Sequence, residues 1–363
     1  MRDRRIILYL LMLSTFLISM MALMVSADTG LNTGARSSAL YNPNTKTFLY
    51  EKNADMRLPM ASTTKIMTAL IAIESLELDE IVNVPADAIG VEGSSLYLRE
   101  NDQITVKDLI YGVLLQSAND AATVLAIRIS KTVDDFATVM NDRAHKIGAF
   151  NTHFTNPHGL DNEEHYTTAK DLSLIAAEAL NNELFKTIAG TYKYSFTVNG
   201  EPRTIVNHNK LLKAYDGCIG VKTGYTKKSG RCLVSAAEKD GITLVAVTLN
   251  DPDDWTDHKN ALNYGFENLE CVDLNDKINL PYDIPTISKD GARVKLALSK
   301  ESMVKRIDET LEYSIDLPYY IATDVRIGDK IGELRLLIGS REEKIDIIAD
   351  CDVKIKKNTG RFL

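Results

Sequence analysis

The sequence predicts a mixed α/β (α+β) protein, in which a helical middle section and an antiparallel sheet precede a small all-β C-terminal domain. Apolar residues recur at helical spacing over residues 62–76, 107–130, 133–147 and 169–181. Short runs bounded by turn residues predict strands near 194–198, 220–225, 231–238 and 243–249. A chain of 363 residues with 45% apolar and 25% charged residues is typical of a globular protein with two domains.

Sequence features near residues 254–285 indicate where the first domain ends. Helical spacing continues near 254–269, and a stretch punctuated by Pro and Asp follows at 273–285. Beyond this stretch, alternating residues predict strands at 293–298, 311–317, 330–337, 344–348 and 352–355. We therefore predict one domain over residues 28–271 and a C-terminal β-rich domain over residues 272–363.

The first residues have the features of an export signal. Arg2, Arg4 and Arg5 precede an apolar run over residues 6–25, and small residues follow that suit cleavage after Ala27. An apolar run of about 20 residues could also span a bilayer. A cleaved signal peptide (residues 1–27) and a retained anchor both stay open, and either places the remainder of the chain outside the cytoplasm.

Charge and motif content exclude several classes of function. The formal net charge of -8 gives no general attraction to nucleic acid. His153, His158 and His165 are close in sequence but lack a metal-binding spacing such as His-Glu-x-x-His. The sequence contains neither a Gly-rich phosphate loop nor a Gly-x-Ser-x-Gly turn. We predict no metal and no cofactor.

Ser62 and Lys65 lie three residues apart at a predicted helix start, so both project from one face of its first turn. The positive end of a helix favours negative charge on a serine oxygen. The spacing alone is weak, because Ser302 and Lys305 repeat it. An isolated copy is more often a helix-capping serine beside a solvated lysine.

Two further motifs make the Ser-x-x-Lys spacing more specific. Ser117-Ala118-Asn119 follows an apolar helical run, and Lys222-Thr223-Gly224 lies on a predicted strand. Each alone is typical of a cap or a turn. In this order, Ser-x-x-Lys, Ser-x-Asn and Lys-Thr-Gly resemble the motifs of penicillin-binding proteins and serine β-lactamases.

The resemblance is closer to the low-molecular-mass D-alanyl-D-alanine carboxypeptidases. It covers residues 36 to about 271 well and the C-terminal domain more loosely. The segments that carry it are residues 59–70, 114–122, 158–161 and 220–226. It implies a penicillin-binding/β-lactamase-like catalytic domain, and a serine-type peptidase that removes the terminal D-alanine from peptidoglycan stem pentapeptides, limits cross-linking and is acylated by β-lactams.

The catalytic roles predicted for the motif residues follow from the chemistry of the reaction and from the resemblance. A serine hydroxyl needs a base, and a lysine serves only if its pKa falls from about 10.4 through burial or a second cation. Ser62 is therefore the predicted nucleophile and Lys65 its base. In the family pattern Ser117 relays a proton to the leaving group, and Asn119 orients Lys65 and the substrate.

The Lys-Thr-Gly strand is the predicted binding edge. Lys222 would be the second cation, and with Thr223 it would hold the substrate's free carboxylate. Gly224 follows on the same strand. The family's oxyanion hole maps onto the backbone N–H groups of Ser62 and Tyr225, and the phenol of Tyr225 is a departure because relatives often carry histidine there.

Asp161, in His158-Gly159-Leu160-Asp161, resembles a loop residue that supports deacylation in the family, and the alternative is a turn aspartate. Two other functions stay open: a β-lactamase-like hydrolase and a catalytically idle cell-wall-binding protein. The chain ends without the family's amphipathic helix. An uncut N-terminus, peripheral membrane association through the basic tail, and no attachment are therefore alternatives.

Overall fold

The computed structural model describes residues 30–356. The predicted signal peptide and the end of the basic tail lie outside the described residues. Within residues 30–356, no helix is both long and apolar enough to cross a bilayer.

Strands and helices are numbered in chain order. The strands of the described residues are β1 (Ser37–Asn42), β2 (Thr47–Lys52), β3 (Ile81–Asn83), β4 (Gln103–Thr105), β5 (Lys193–Val198), β6 (Glu201–Val206), β7 (Cys218–Thr226), β8 (Gly230–Lys239), β9 (Ile242–Leu249), β10 (Leu269–Asp273), β11 (Asp283–Pro285), β12 (Arg293–Leu298), β13 (Ser302–Arg306), β14 (Leu311–Asp316), β15 (Lys330–Ile338) and β16 (Arg341–Ala349). The helices are α1 (Lys65–Ser75), α2 (Val106–Leu115), α3 (Asn119–Ser130), α4 (Val133–Ile147), α5 (Ala169–Leu180), α6 (Glu183–Gly190), α7 (Leu211–Ala214), α8 (Asp254–Asn268) and α9 (Leu274–Lys277).

A five-stranded antiparallel sheet in the order β2-β1-β9-β8-β7 forms the centre of the N-terminal part. Strands β7, β8 and β9 form two successive hairpins, because short turns separate them. In the turn between β8 and β9, Asp240 and Gly241 both have positive φ. Strand β1 returns to pair with β9, and Ala39 lies opposite Val247. The sheet therefore joins distant parts of the sequence, and β7 is left at one edge.

The helices pack around α1. Its first eight residues, from Lys65 to Ala72, are all buried, as the apolar residues on nearly every side of the helix predict. Helices α2, α4 and α5 begin with the same cap, in which a threonine hydroxyl accepts a hydrogen bond from the backbone N–H of an aspartate. The pairs are Thr105 with Asp108, Thr132 with Asp135 and Thr168 with Asp171.

The helical spacing predicted over residues 107–130 corresponds to two helices. The chain breaks between α2 and α3, where Ser117 has a φ of 60°. The backbone N–H of Ala118 bonds to the carbonyl of Gly112. Apolar residues continue through the break because both helices are buried on nearly every side, so periodicity alone does not reveal it.

The C-terminal part contains a second antiparallel sheet, in the order β11-β12-β16-β15-β14. Its buried residues form an apolar core separate from the first, with Val294, Leu334 and Ile345 among its members. The strand predicted at 352–355 is wrong. Only Val353 makes an isolated bridge, to Val325, because no neighbouring strand edge extends along this segment.

The two parts are in contact. Strand β10 pairs with β13, and this ladder crosses the predicted boundary at 271/272. Arg341 donates hydrogen bonds to the carbonyls of Thr45, at 3.3 Å, and Val304, at 3.4 Å. The chain from Thr33 onward forms one compact unit, so the domain boundary remains our prediction, supported by the separate cores.

Leu334→Ala should lower the free energy of unfolding by about 2–5 kcal/mol, because Leu334 is fully buried in the second core. Leu337→Ala is the matched control: Leu337 lies on the same strand but is 44% exposed, and its effect should stay within about 0.5 kcal/mol. Chemical denaturation of both variants measures the difference. Equal effects would contradict the assignment of the second core.

Candidate active site

Ser62 lies in a single 3-10 turn, Ala61–Thr64, that leads into α1. Ala61 has a φ of 47°, an uncommon value for a residue with a side chain. The turn is fixed by its own hydroxyls: Thr63 donates to the carbonyl of Met60 at 2.6 Å, and Thr64 to that of Ala61 at 2.7 Å. The turn presents Ser62 at the surface of a cleft.

Lys65 is the first residue of α1, and its side chain is fully buried. Its Nζ lies 3.1 Å from Oγ of Ser62. The same nitrogen donates to Oδ1 of Asn119 and to the carbonyl of His158, both at 2.6 Å. Residues from three separated segments therefore meet at one amine.

The environment disfavours the charged form of this amine. Burial lowers the pKa of Lys65 well below its usual value, and the nearby charge of Lys222 lowers it further, while Asp120 opposes the shift. Lys222 is also buried, and burial lowers its pKa to about 7. Its Nζ donates to the carbonyl of Thr223 at 2.8 Å.

Strand β7 packs closely against the turn that contains Ser62. A Cβ added to Gly224 would lie 3.0 Å from the backbone nitrogen of Ser62 and 3.1 Å from that of Thr63. Only glycine allows this approach without a shift of the neighbouring backbone. The approach leaves Thr223 and the exposed ring of Tyr225 on the wall of the cleft.

The loop that contains His158 packs on the other side of the turn. A Cβ on Gly159, whose φ is +89°, would lie only 1.9 Å from the carbonyl oxygen of Ala61. Asp161 is exposed and accepts a hydrogen bond from Oγ1 of Thr226 at 2.8 Å. The structure thus places Asp161 at the hairpin end of β7, where it ties the loop to the strand.

His165 extends the support of the turn. Its Nδ1 accepts from the backbone N–H of Thr155 at 3.0 Å, so its Nε2 carries the proton and donates to Oγ1 of Thr64 at 2.7 Å. Burial lowers the pKa of His165 to about 4 and that of His158 to about 3, so both are neutral at pH 7. Within the described part of the chain no group of three side chains could hold a metal.

Asp120 is a supporting residue that sequence reasoning missed. Its buried carboxylate accepts from Oγ of Ser95 at 2.6 Å, and from the backbone N–H groups of Leu96 at 3.0 Å and Leu98 at 3.1 Å. This loop also contacts Asn119, whose Nδ2 donates to the carbonyl of Glu92. The signal available in the sequence was an acidic residue immediately after the Ser-x-Asn motif.

A cleft of about 480 Å³ opens over the turn. Of the predicted site residues, Ser62, Ser117, Thr223, Gly224 and Tyr225 line it, while Lys65, Asn119 and Lys222 lie buried close by. The structure therefore brings the three motifs together. The lining residues that sequence reasoning missed are Ser94, His208, Arg231, Asp254 and Trp255.

Two of the missed residues form an ion pair. Arg231 lies opposite Tyr225 across the β7–β8 ladder, and its guanidinium contacts Asp254 at 2.5 Å. The Asp254 side chain is almost fully buried, and the guanidinium lies 5.8 Å from the ring centre of Trp255. No motif marked these residues, because β8 and the start of α8 approach the cleft only in the folded chain.

Gly159→Ala should reduce acylation of Ser62 by β-lactams about 100-fold, because the new Cβ must displace the turn and misplacing a reacting group by about 1 Å has such an effect. Gly148→Ala is the control, since Gly148 has a similar φ of +93° but its Cβ would meet only Phe150, at 4.0 Å. Labelling rates with a fluorescent penicillin measure the difference. Equal losses would show that backbone strain, and not the close contact, explains the glycine.

Comparison with known proteins agrees with this geometry. A family model described as D-alanyl-D-alanine carboxypeptidase matches residues 23–253. DacF of Bacillus subtilis is 37% identical over 219 residues, which are 59% of this chain and 56% of that protein. The D-alanyl-D-alanine carboxypeptidase of Streptomyces sp. (strain K15) is 37% identical over 246 residues, covering 62% and 84%. The match thus spans little more than half the length of the Bacillus relative.

Solved structures confirm the predicted fold class. The crystal structure of the Streptomyces K15 DD-transpeptidase has a TM-score of 0.62 at 35% identity, and covers 65% of this chain and 98% of that one. DacD from Francisella tularensis has a TM-score of 0.66 at 26% identity, covering 90% and 95%. Because the family model matches more than half of the sequence, this chain belongs to the D-alanyl-D-alanine carboxypeptidase family.

Proposed function

We propose that the protein is a serine carboxypeptidase that hydrolyses the terminal D-Ala–D-Ala bond of peptidoglycan stem pentapeptides through an acyl-enzyme on Ser62. One observation carries the proposal: the buried amine of Lys65 lies 3.1 Å from Oγ of Ser62. The names of the matched relatives support the reaction class. No observation favours the β-lactamase or the idle wall-binding alternative.

The hydrogen bonds of Lys65 suit a general base. A neutral amine has two N–H donors and one lone pair. Its two shortest contacts are to the carbonyl of His158 and to Oδ1 of Asn119, which can only accept. Both N–H groups are thereby used, and the lone pair is left to accept the hydroxyl proton of Ser62.

Lys222 acts on both the base and the substrate. Its positive charge disfavours a second cation at Lys65 and so helps to keep that amine neutral. The same charge, with the hydroxyl of Thr223, attracts the terminal carboxylate of the peptide. Because its pKa is about 7, a bound carboxylate would hold Lys222 in its charged form.

The reaction then follows in two stages. Oγ of Ser62 attacks the scissile carbonyl while its proton moves to Lys65, and the backbone N–H groups of Ser62 and Tyr225 stabilise the oxyanion. Ser117 relays a proton to the nitrogen of the departing D-alanine. Water then hydrolyses the ester on Ser62. Asn119 holds Lys65 in place throughout.

Asp161 has an indirect part in this scheme. Its hydrogen bond to Thr226 joins the loop that carries His158 to the strand that carries Tyr225. We propose that it supports deacylation by keeping both in position around the ester.

The site of action follows from the substrate. We propose that the protein is exported and works on peptidoglycan at the extracytoplasmic face of the membrane or in the wall, with β-lactams as covalent inhibitors. Peripheral membrane association through the basic tail, an uncut N-terminus and no attachment remain alternatives within this proposal. Family membership supports the cell-wall role.

Ser62→Ala should abolish both covalent labelling by a fluorescent penicillin and release of D-alanine from diacetyl-Lys-D-Ala-D-Ala, because the nucleophile is removed. The protein without residues 1–27 is used throughout. Ser302→Ala is the matched control, because Ser302 has the same spacing to a lysine but lies on β13. D-alanine release by the Ser62→Ala protein would refute the assignment.

Lys65→Arg should slow acylation by about 10²–10⁴-fold, because a guanidinium stays protonated and cannot accept the serine proton. Lys305→Arg is the corresponding control, since Lys305 is also buried and follows a serine at the same spacing. Labelling time courses under identical conditions measure both rates. Rapid acylation of the Lys65→Arg protein would exclude Lys65 as the base.

A further inference from the structure

His208 is a titratable side chain in the cleft that the proposed mechanism does not use. It lines the cleft together with Ser62, Ser117 and Thr223. The residue is exposed. Arg231 and Asp254 in the cleft wall pair with each other, whereas within residues 30–356 the imidazole of His208 has no hydrogen-bond partner. Both ring nitrogens are therefore available to a ligand.

The turn that carries His208 is firmly held. Asn207, on one side, donates to the carbonyls of Ala189 and Thr191, each at 3.1 Å. Asn209, on the other side, is 1% exposed and donates its backbone N–H to Oδ1 of Asn207 at 2.9 Å.

The backbone of His208 is also fixed, since its N–H bonds to the carbonyl of Leu115 at 3.2 Å, at the end of α2 and two residues before Ser117. Two buried asparagines thus brace a turn whose middle side chain is exposed. This arrangement presents the imidazole to the cleft at a fixed place.

The charges around His208 favour a neutral ring in the free protein. Desolvation by the surrounding protein atoms and then the charge of Lys222 lower the pKa of His208. Lys65, Tyr225, Arg231 and Asp254 are the other charged or titratable groups at the cleft, and Asp254 is already paired with Arg231. From α2 and α6, which pack against the turn, no ionisable side chain of the described residues lines the cleft.

We propose that His208 is a further binding residue, which donates a hydrogen bond to the terminal carboxylate of the peptide beside Lys222 and Thr223 and takes up a proton when that carboxylate binds. This inference rests on the proposed function. Before binding, Lys222 repels a second positive charge. A bound carboxylate offsets that charge, so one proton from solvent can add to the free ring nitrogen, and no other bond changes.

The first test separates binding from turnover. For diacetyl-Lys-D-Ala-D-Ala, KM of the unmodified protein should rise between pH 5.5 and 7.5, as the imidazolium is lost. His208→Gln should raise KM about tenfold at pH 6, the size expected for one hydrogen bond between charged groups, and should reduce the pH dependence of KM to the part that Lys222 contributes. The fall in kcat should stay below about twofold on the same reasoning.

Two variants complete this test. His208→Lys keeps a permanent cation at this position, so its KM should be low and should change over the same range only as far as Lys222 titrates. His145→Gln removes an exposed histidine of α4 and should leave the profile unchanged. A KM profile of the His208→Gln protein that matches the unmodified one would overturn the inference.

The second test observes the ring itself. In the Ser62→Ala protein, the NMR resonance of the His208 ring proton, identified by its loss in His208→Gln, should show a pKa that rises when acetyl-D-Ala-D-Ala is added. The C-terminal amide of the same peptide should cause no rise. Equal pKa values with and without the carboxylate peptide would overturn the inference.

These experiments distinguish failure of the proposed function from failure of the binding role of His208. If the unmodified protein releases no D-alanine, the proposed function fails. If it releases D-alanine but the pKa of His208 and the KM profile do not respond to the carboxylate, only the inference about His208 fails.

Discussion

Burial of the Lys65 amine is the constraint on which the rest of the site depends. A buried ammonium without partners is strongly unfavourable, so the fold must either pair the group or keep it neutral. In this protein burial and the charge of Lys222 both lower the pKa of Lys65, and Asn119 and the carbonyl of His158 accept hydrogen bonds from its amine. Both effects on the pKa favour the neutral amine that the proposed base requires.

Tight backbone contacts also hold the turn that carries Ser62. The acceptors of the Lys65 amine come from different segments, and each must approach within hydrogen-bond distance of one atom. Gly224 lets β7 lie against the backbone of Ser62, and Gly159 lets the opposite loop lie against the carbonyl of Ala61. A side chain at either position would separate the segments. The hydroxyl of Thr64 and the ring of His165 then hold the turn from behind.

Much of this architecture could be predicted from the sequence, because turn residues and alternation define the strands β7 to β9 and three motifs carry the chemistry. The rest depends on contacts between distant residues. The break at Ser117 is hidden by continuous apolar spacing, and the lining residues Arg231 and Trp255 belong to no motif. Alternation at residues 352–355 predicts a strand, but a strand also needs a neighbour, and only Val353 has one.

The pairing of β10 with β13 bears on how the C-terminal part could be gained or lost in evolution. A chain ending after Cys271 would keep most of β10 but lose every backbone partner that β13 provides. An unpaired strand edge is a template for another copy of the protein, so such a shortened chain would tend to self-associate. The Streptomyces K15 structure is matched almost completely by 65% of this chain. A chain that ends near Cys271 would therefore need to shorten, cover or redirect this strand edge to remain a monomer.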